Sequence, residues 1–166
     1  MVQWLYSFIM QYKRVFVPGG MYFFTVITYM RCPIFSDENA VNLFKDSLIQ
    51  LKRKHPFTLD AIVILPDHIH SIWTLPENDA NYPTRWRLIK SHFSHAWTNL
   101  TKISLDKPAS RVKKNENTIW QRRYWEHAIT SLEDYNLHLD YILYNPIKHG
   151  YVNDLDDWRY SYIRNE

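Results

Sequence analysis

Residues 65–76, with the sequence LPDHIHSIWTLP, join two strands through a tight break and thereby decide the path of the chain on either side. A Pro-Asp pair interrupts an apolar run that begins at Leu59, and the apolar residues that follow predict a second buried strand. Successive side chains of a strand point to opposite faces, so His68 and His70 project side by side from one face. Two imidazoles held in this way can share one metal ion.

The segments around this pair of strands predict the fold class. Residues 21–29 (MYFFTVITY) are β-branched and aromatic, which is typical of a strand. Apolar residues at helical spacing predict amphipathic helices over about residues 37–55 and 84–102, and residues 119–130 predict one or two short strands. The order strand, helix, strand, strand, helix, strand indicates an α+β fold, a ferredoxin-like antiparallel sheet of four strands with helices packed on one face.

Length and composition fit one soluble domain. The 166 residues are 46% hydrophobic, which is enough for a core. The single cysteine, Cys32, excludes an internal disulfide and a cysteine-based zinc cage and favours the cytoplasm. We find no membrane segment or signal peptide by the usual length and charge criteria. We expect residues 1–166 to form one domain, with 1–14 as a loose tail, Met10 as an alternative start and 104–117 as a mobile basic loop.

Basic residues are concentrated between Arg85 and Trp125, where ten lysines and arginines stand against two acids in a chain of net charge +3. A basic block in a chain that is 16% aromatic is typical of a nucleic-acid surface. A solvated helix face followed by a disordered loop is the alternative interpretation. The residues expected to contact a DNA backbone are Arg85, Arg87, Lys90, Arg122 and Arg123.

A last helix is predicted from residue 131 onwards, where the sequence SLED has the layout of a capping box. The stripe expected to pack on the sheet consists of Leu132, Tyr135, Leu139 and Ile142. A second stripe, about a quarter turn away at the border of the buried face, consists of Asp134, His138, Tyr141 and Asn145. Pro146 is expected to end the helix, with Asn145 in or just past its last turn.

Tyr141 is the candidate reacting group and Asn145 the candidate third metal ligand, because the two lie one helical turn apart on one face. A phenol has an ordinary pKa of about 10 and needs help to act as a nucleophile at neutral pH. A divalent ion can give this help by polarising a phosphate and stabilising the 3′-oxygen leaving group. Two imidazoles and an amide oxygen suit Mn²⁺ or Mg²⁺, with zinc as a further candidate.

Three residues near Tyr141 have more than one interpretation. His138 either tunes the phenol, touches phosphate or makes a structural hydrogen bond. Lys148 and His149 either contact phosphate or complement the negative end of the helix. We expect His138 and His149 to support the site from behind the metal ligands.

Five segments in this order resemble one known family. PDHIH at residues 66–70 is similar to the histidine-hydrophobe-histidine motif of HUH endonucleases. DYILYNPIKHG at residues 140–150 is similar to the tyrosine motif of REP-associated tyrosine transposases, which are relatives of the single-tyrosine transposases of small bacterial insertion sequences. The resemblance covers roughly residues 15–163, and the other matching segments are 79–93, 120–127 and 158–162.

This resemblance implies a metal-dependent, single-stranded DNA endonuclease and strand transferase that acts on REP-type hairpins through a covalent 5′-phosphotyrosine intermediate. It implies that Tyr141 is the nucleophile and that His68 and His70 bind the metal. Asn145 stands where the insertion-sequence relatives have a glutamine ligand. Arg14 is expected to contact bases beside the hairpin.

The resemblance implies single-stranded or hairpin DNA as the partner and no association with a membrane. The implied location is the cytoplasm, with the protein on the nucleoid when it is bound to DNA. A monomer is expected, and a dimer, as in the insertion-sequence relatives, is the alternative.

Two other functional classes remain open. A non-catalytic ferredoxin-like module would bind nucleic acid even after chelation of metal or the substitution Tyr141→Phe. A metal-dependent phosphodiesterase that uses water would cleave DNA without forming a bond to the protein.

Overall fold

The computed structural model describes residues 14–102, 109–112 and 118–164. One antiparallel sheet is formed by five strands: β1 (Met21–Ile27), β2 (Thr58–Leu65), β3 (His68–Thr74), β4 (Trp125–Ile129) and β5 (Ser161–Ile163). The helices are α1 (Glu38–Lys54), α2 (Tyr82–Thr101), the short α3 (Ala109–Val112) and α4 (Leu132–Lys148). The strand order β4-β1-β3-β2-β5 contains the ferredoxin-like order in its first four members, so the predicted fold class is confirmed.

The helices lie on both faces of the sheet. Helices α1 and α2 pack against each other and share the larger apolar core with Phe24, Ile69 and Trp73. Helix α4 covers the opposite face, where Ile142 packs with Phe23 and Ile72. The predicted one-face arrangement of α1 and α2 is therefore confirmed, whereas the sequence did not predict the face on which α4 lies. Because both faces are covered, six of the seven residues of β3 are buried, and its buried polar residues are His68, His70 and Ser71.

The ends of several elements differ from the sequence prediction. Helix α2 starts at Tyr82, since the side chain of Asn81 caps it by accepting a hydrogen bond from the Thr84 N–H. Residues 161–163 add strand β5 beside β2, which the sequence did not predict. Of the two segments expected to be loose, residues 1–13, 103–108 and 113–117 lie outside the described residues. Among the described residues, no helix is long and apolar enough to cross a membrane.

Helix α4 begins as predicted but ends later than predicted. The Ser131 side chain caps it by accepting from the Asp134 N–H, as the SLED sequence indicates. Pro146 lies inside the helix, which continues to Lys148. The helix is terminated after Lys148 by a turn at Gly150, whose φ of 72° favours glycine.

The end of α4 is a Schellman motif, in which two amides turn back to carbonyls inside the last turn. The Tyr151 N–H donates to the Pro146 carbonyl, and the Gly150 N–H donates to the Ile147 carbonyl. Because proline has no N–H, the helix lacks one hydrogen bond at Pro146, but the turn that follows keeps both hydrogen bonds of the motif. At the other end, Leu132 is exposed and does not join the sheet-facing stripe, which starts at Tyr135.

Arg85 is a structural residue of α2, so its predicted role in binding DNA is wrong. The guanidinium is buried and donates to the carbonyl oxygens of His55, Pro56 and Asn81. It also forms an ion pair with Asp79 at 2.7 Å. These contacts tie the start of α2 to the segment between α1 and β2, and they use the donors that a phosphate would need.

We expect Arg85→Ala to lower the free energy of unfolding by about 2–4 kcal/mol, because it leaves buried acceptors without a donor. Urea denaturation followed by circular dichroism measures this change. Arg87→Ala is the matched control, since Arg87 is exposed on the same helix, and it should change stability by less than about 0.5 kcal/mol. Equal effects of the two substitutions would contradict the structural role of Arg85.

Candidate active site

His68 and His70 lie side by side in β3 on the face covered by α4. Their ring centroids are 4.9 Å apart, and both side chains are buried. Strand β3 is hydrogen-bonded to β1 on one side and to β2 on the other. The backbone of the histidine pair is therefore held from both sides, and the predicted side-by-side arrangement is confirmed.

Each histidine uses its Nδ1 atom for a hydrogen bond to a neighbouring side chain. His70 Nδ1 lies 2.8 Å from the Thr25 hydroxyl, its register partner in β1. His68 Nδ1 lies 2.5 Å from one carboxylate oxygen of Asp67. The other carboxylate oxygen of Asp67 accepts a hydrogen bond from Arg31 at 3.0 Å. These bonds orient both rings and direct both Nε2 atoms away from the strand neighbours, as supporting residues do for metal-binding histidines.

The electrostatics of the pair favour neutral imidazoles beside an ionised Asp67. Burial holds the pKa of His70 well below its usual value, and the charge of His68 would lower it further. Burial also lowers the pKa of His68, although the hydrogen bond to Asp67 opposes this. Burial raises the pKa of Asp67, but hydrogen bonds from His68 and Arg31 outweigh it and lower the pKa. With Asp67 ionised, His68 Nδ1 is the donor, so its Nε2 atom carries the lone pair.

Three polar atoms of the predicted ligand set are buried without a partner among the described residues. They are the Nε2 atom of His70 and both amide atoms of Asn145, which is fully buried on α4. An unpaired buried polar group costs free energy unless something binds it. The residues present therefore fit a metal ion that would take two imidazole nitrogens and an amide oxygen.

Tyr141 lies next to the histidine pair on α4. Its ring centroid is 5.0 Å from that of His70, and the side chain remains 40% exposed. The ring stands edge-on to Phe23 at 5.9 Å, and the Lys148 ammonium lies 5.1 Å from the ring centroid. The phenol is thus held by packing, close to the histidines and open to a ligand. Tyr144, which is 54% exposed, has no ring contact with either histidine among the described residues.

The structure separates the two predicted supporting residues. The His149 ring lies 5.3 Å from His68, beside the histidine pair. His138 instead points towards β4, where it contacts Asp134 and stacks on His127 at 4.7 Å. Sequence reasoning gave no role to His127 and missed Thr25 as a partner of His70. Of the partners of the two histidines, only Asp67 could have been found from the sequence, because it directly precedes His68.

The other residues predicted to bind DNA are placed differently from one another. Arg14 pairs with Glu126, the Lys90 ammonium donates to the Gln121 carbonyl, and Arg122 donates to Ser110. Two of the set, Arg87 and Arg123, are exposed and form no ion pair or side-chain hydrogen bond among the described residues. Arg123 precedes β4, whereas Arg87 lies on α2, on the other face of the sheet.

Two curated proteins are similar to this chain over most of its length. The REP-associated tyrosine transposase of Escherichia coli K12 is 39% identical over 91% of this chain and 81% of its own length. The putative REP-associated tyrosine transposase of Haemophilus influenzae Rd is 44% identical over 90% of this chain and 83% of its own length. No family model matches the chain.

Two solved structures share the fold. A REP-associated tyrosine transposase bound to a REP hairpin superposes with a TM-score of 0.75 and 38% identity, covering 92% of this chain and 82% of that one. A putative transposase from Deinococcus radiodurans R1 gives a TM-score of 0.50 and 18% identity, covering 80% of this chain and 95% of that one, which supports the fold alone.

The low pKa of His70 predicts that the metal-free protein loses stability as the pH falls. Below the unfolded pKa of about 6.5, the unfolded chain binds a proton at this residue that the folded protein does not bind. The free energy of unfolding should fall by up to about 1.4 kcal/mol per pH unit from His70 alone. Urea denaturation in EDTA between pH 7.5 and 5.5 should show a flatter dependence for His70→Gln. His95→Gln, at an exposed histidine of α2, is the control, and equal slopes for the two variants would refute the prediction.

Proposed function

The chain belongs to the REP-associated tyrosine transposases, and we propose that it cuts and joins single-stranded REP-type hairpin DNA through a covalent bond to Tyr141. The observation that carries this proposal is the 5.0 Å separation between the rings of Tyr141 and His70. Residues 71 positions apart in sequence meet there on two elements that pack face to face. A phenol open to solvent beside two oriented, neutral imidazoles suits phosphoryl transfer better than it suits a packing role.

The chemical step that we propose exchanges one phosphate ester for another. The Tyr141 oxygen loses its proton and attacks a DNA phosphorus, forming an ester with the 5′-phosphate of the downstream strand. The bond from phosphorus to the 3′-oxygen of the upstream strand breaks, and that oxygen takes up a proton to become a 3′-hydroxyl. A later attack by a 3′-hydroxyl reverses these bonds and joins a strand. Because the ester bond is conserved in the intermediate, no nucleotide cofactor is needed.

We propose that His68, His70 and Asn145 hold a divalent ion, through the two Nε2 atoms and the amide oxygen. The ion, Mg²⁺ or Mn²⁺, would neutralise charge on the phosphate and stabilise the leaving 3′-oxygen. Asp67 and Thr25 keep the histidine rings oriented for this purpose. Lys148, whose ammonium lies beside the Tyr141 ring, attracts the phosphate electrostatically.

We propose that the hairpin approaches the face of the sheet that α4 covers. The solved relative is bound to a REP hairpin, and this chain superposes on it over 92% of its length. Lys148 lies at the site, and Arg123 precedes the strand whose Trp125 contacts Phe23. We therefore place the first phosphate contacts at Arg123 and Lys148, with Arg87 peripheral on the far face. The expected cytoplasmic location and monomeric state stay predictions.

We expect Tyr141→Phe to abolish the covalent product while leaving hairpin binding within about twofold, because only the attacking oxygen is removed. The measurement uses labelled single-stranded DNA with a REP-type hairpin and Mn²⁺, followed by denaturing electrophoresis. A band at the combined mass should vanish with EDTA and in His68→Ala. Tyr144→Phe is the matched control on the same helix and should keep the band.

Two results would replace the proposed mechanism. Cleavage that persists in Tyr141→Phe without a protein adduct would indicate a phosphodiesterase that uses water. Tight hairpin binding that is insensitive to EDTA, without cleavage of any hairpin from the host genome, would indicate a non-catalytic binding module.

Arg123→Ala should weaken hairpin binding and reduce the slope of log Kd against log salt by about one, since one phosphate contact is lost. Fluorescence anisotropy at several salt concentrations measures both quantities. Arg53→Ala is the control, because Arg53 is exposed at the end of α1 on the opposite face of the sheet. An identical slope for both variants would exclude Arg123 as a phosphate contact.

A further inference from the structure

A second cluster of ligating side chains lies beyond the site described above, where β4 meets the first turns of α4. It consists of His127 on β4 with Asp134 and His138 on α4, whose ligating atoms all lie within 4.8 Å of one another. It is the only group of three or more His, Cys, Asp or Glu residues with this geometry in the part of the chain that the structure describes. None of the three belongs to the set that we propose for the catalytic ion.

The distances in this cluster are close to those around a single small ion. His127 Nε2 lies 2.9 Å from one Asp134 oxygen, and His138 Nδ1 lies 3.0 Å from the other. Ligands about 2.0–2.1 Å from a tetrahedral zinc ion are about 3.3 Å apart. Each histidine nitrogen is therefore already within a few tenths of an ångström of that separation from Asp134, and with all three ligating atoms within 4.8 Å of one another, small side-chain rotations would enclose an ion.

The negative charge of Asp134 in this cluster is not neutralised by a lysine or arginine of the described residues. Asp134 accepts hydrogen bonds from the Thr130 amide and from the two histidines, but no lysine or arginine pairs with it among the described residues. All three side chains are half-buried, so solvent can still reach them. A carboxylate between two imidazoles, with access for an ion, is a common environment for a transition metal.

We propose that His127, Asp134 and His138 bind a zinc-class transition-metal ion that clamps α4 to the edge strand β4. Two nitrogen donors and one carboxylate favour Zn²⁺ over Mg²⁺, which prefers oxygen ligands. Three protein ligands leave a fourth position for water. On binding, the protons that His127 Nε2 and His138 Nδ1 donate to Asp134 move through solvent to the other nitrogen of each ring, so that both ligating nitrogens offer a lone pair.

The clamp would act on the position of the tyrosine helix. The His138 ring packs on Phe23 at 4.7 Å, and the same Phe23 ring contacts Tyr141 at 5.9 Å. His138 lies one turn before Tyr141, so holding it against β4 restrains the helix on the side nearest the phenol. The ion itself would be structural, and its binding does not depend on the function proposed above.

The test measures Zn²⁺ and Co²⁺ binding to the full chain in a His68→Ala/His70→Ala background, which removes the other candidate site. We expect this protein to bind one ion per chain by calorimetry, to give the intense visible absorption of tetrahedral Co²⁺, and to melt at a higher temperature with Zn²⁺. Adding Asp134→Asn, which keeps the shape and the acceptor for Thr130, should weaken binding by about tenfold or more and abolish the rise in melting temperature.

A second variant and a measurement of folding distinguish the loss of a metal ligand from the loss of the fold. His127→Gln with His138→Gln, in the same background, should also lose the ion, and circular dichroism in EDTA should show an unchanged fold for each variant. Absence of binding in the His68→Ala/His70→Ala protein, or equal binding after Asp134→Asn, would overturn the proposal and leave the cluster as a hydrogen-bonded network alone.

Discussion

The hydrogen bonding of β3 on both of its edges is the constraint on which the candidate site depends. Because β1 and β2 fix the register of β3, His70 stands opposite Thr25 and both histidines face α4. A slip of one residue would turn both imidazoles into the apolar core between the sheet and helices α1 and α2. The surrounding apolar residues, such as Ile69 and Trp73, make that slip costly because they fill the opposite core.

Burial gives the histidine pair its chemical character. In water, an imidazole is partly protonated near neutral pH, and a protonated imidazole cannot bind a metal. Burial disfavours the charged form of both rings, while Asp67 and Thr25 occupy the Nδ1 atoms. Helix α4 completes the arrangement, since it brings the buried amide of Asn145 and the exposed phenol of Tyr141 to the same face of the sheet. Burial therefore sets the charge of the imidazoles, Asp67 and Thr25 set their orientation, and α4 supplies the phenol that a ligand can reach.

Helix α4 shows how local signals compete with tertiary packing. The SLED sequence specified its first turn correctly, because capping is a local hydrogen bond between residues three apart. Pro146 was expected to stop the helix, but the burial of Ile142, Asn145 and Pro146, together with the turn at Gly150, keeps the last turn helical. The residue before a proline prefers non-helical backbone angles, but this preference contributes less free energy here than the packing that would be lost if the helix stopped.

The sequence by itself determined the fold class, the side-by-side histidines and the stripe that carries Tyr141 and Asn145. These features follow from the periods of strand and helix, which act between residues close in sequence. Only the tertiary structure decided that α4 lies across the sheet from α1 and α2, that Arg85 is buried and that His138 stacks on His127 of β4. These contacts join separate elements, and the way in which whole elements pack is not encoded by the local period of any one of them.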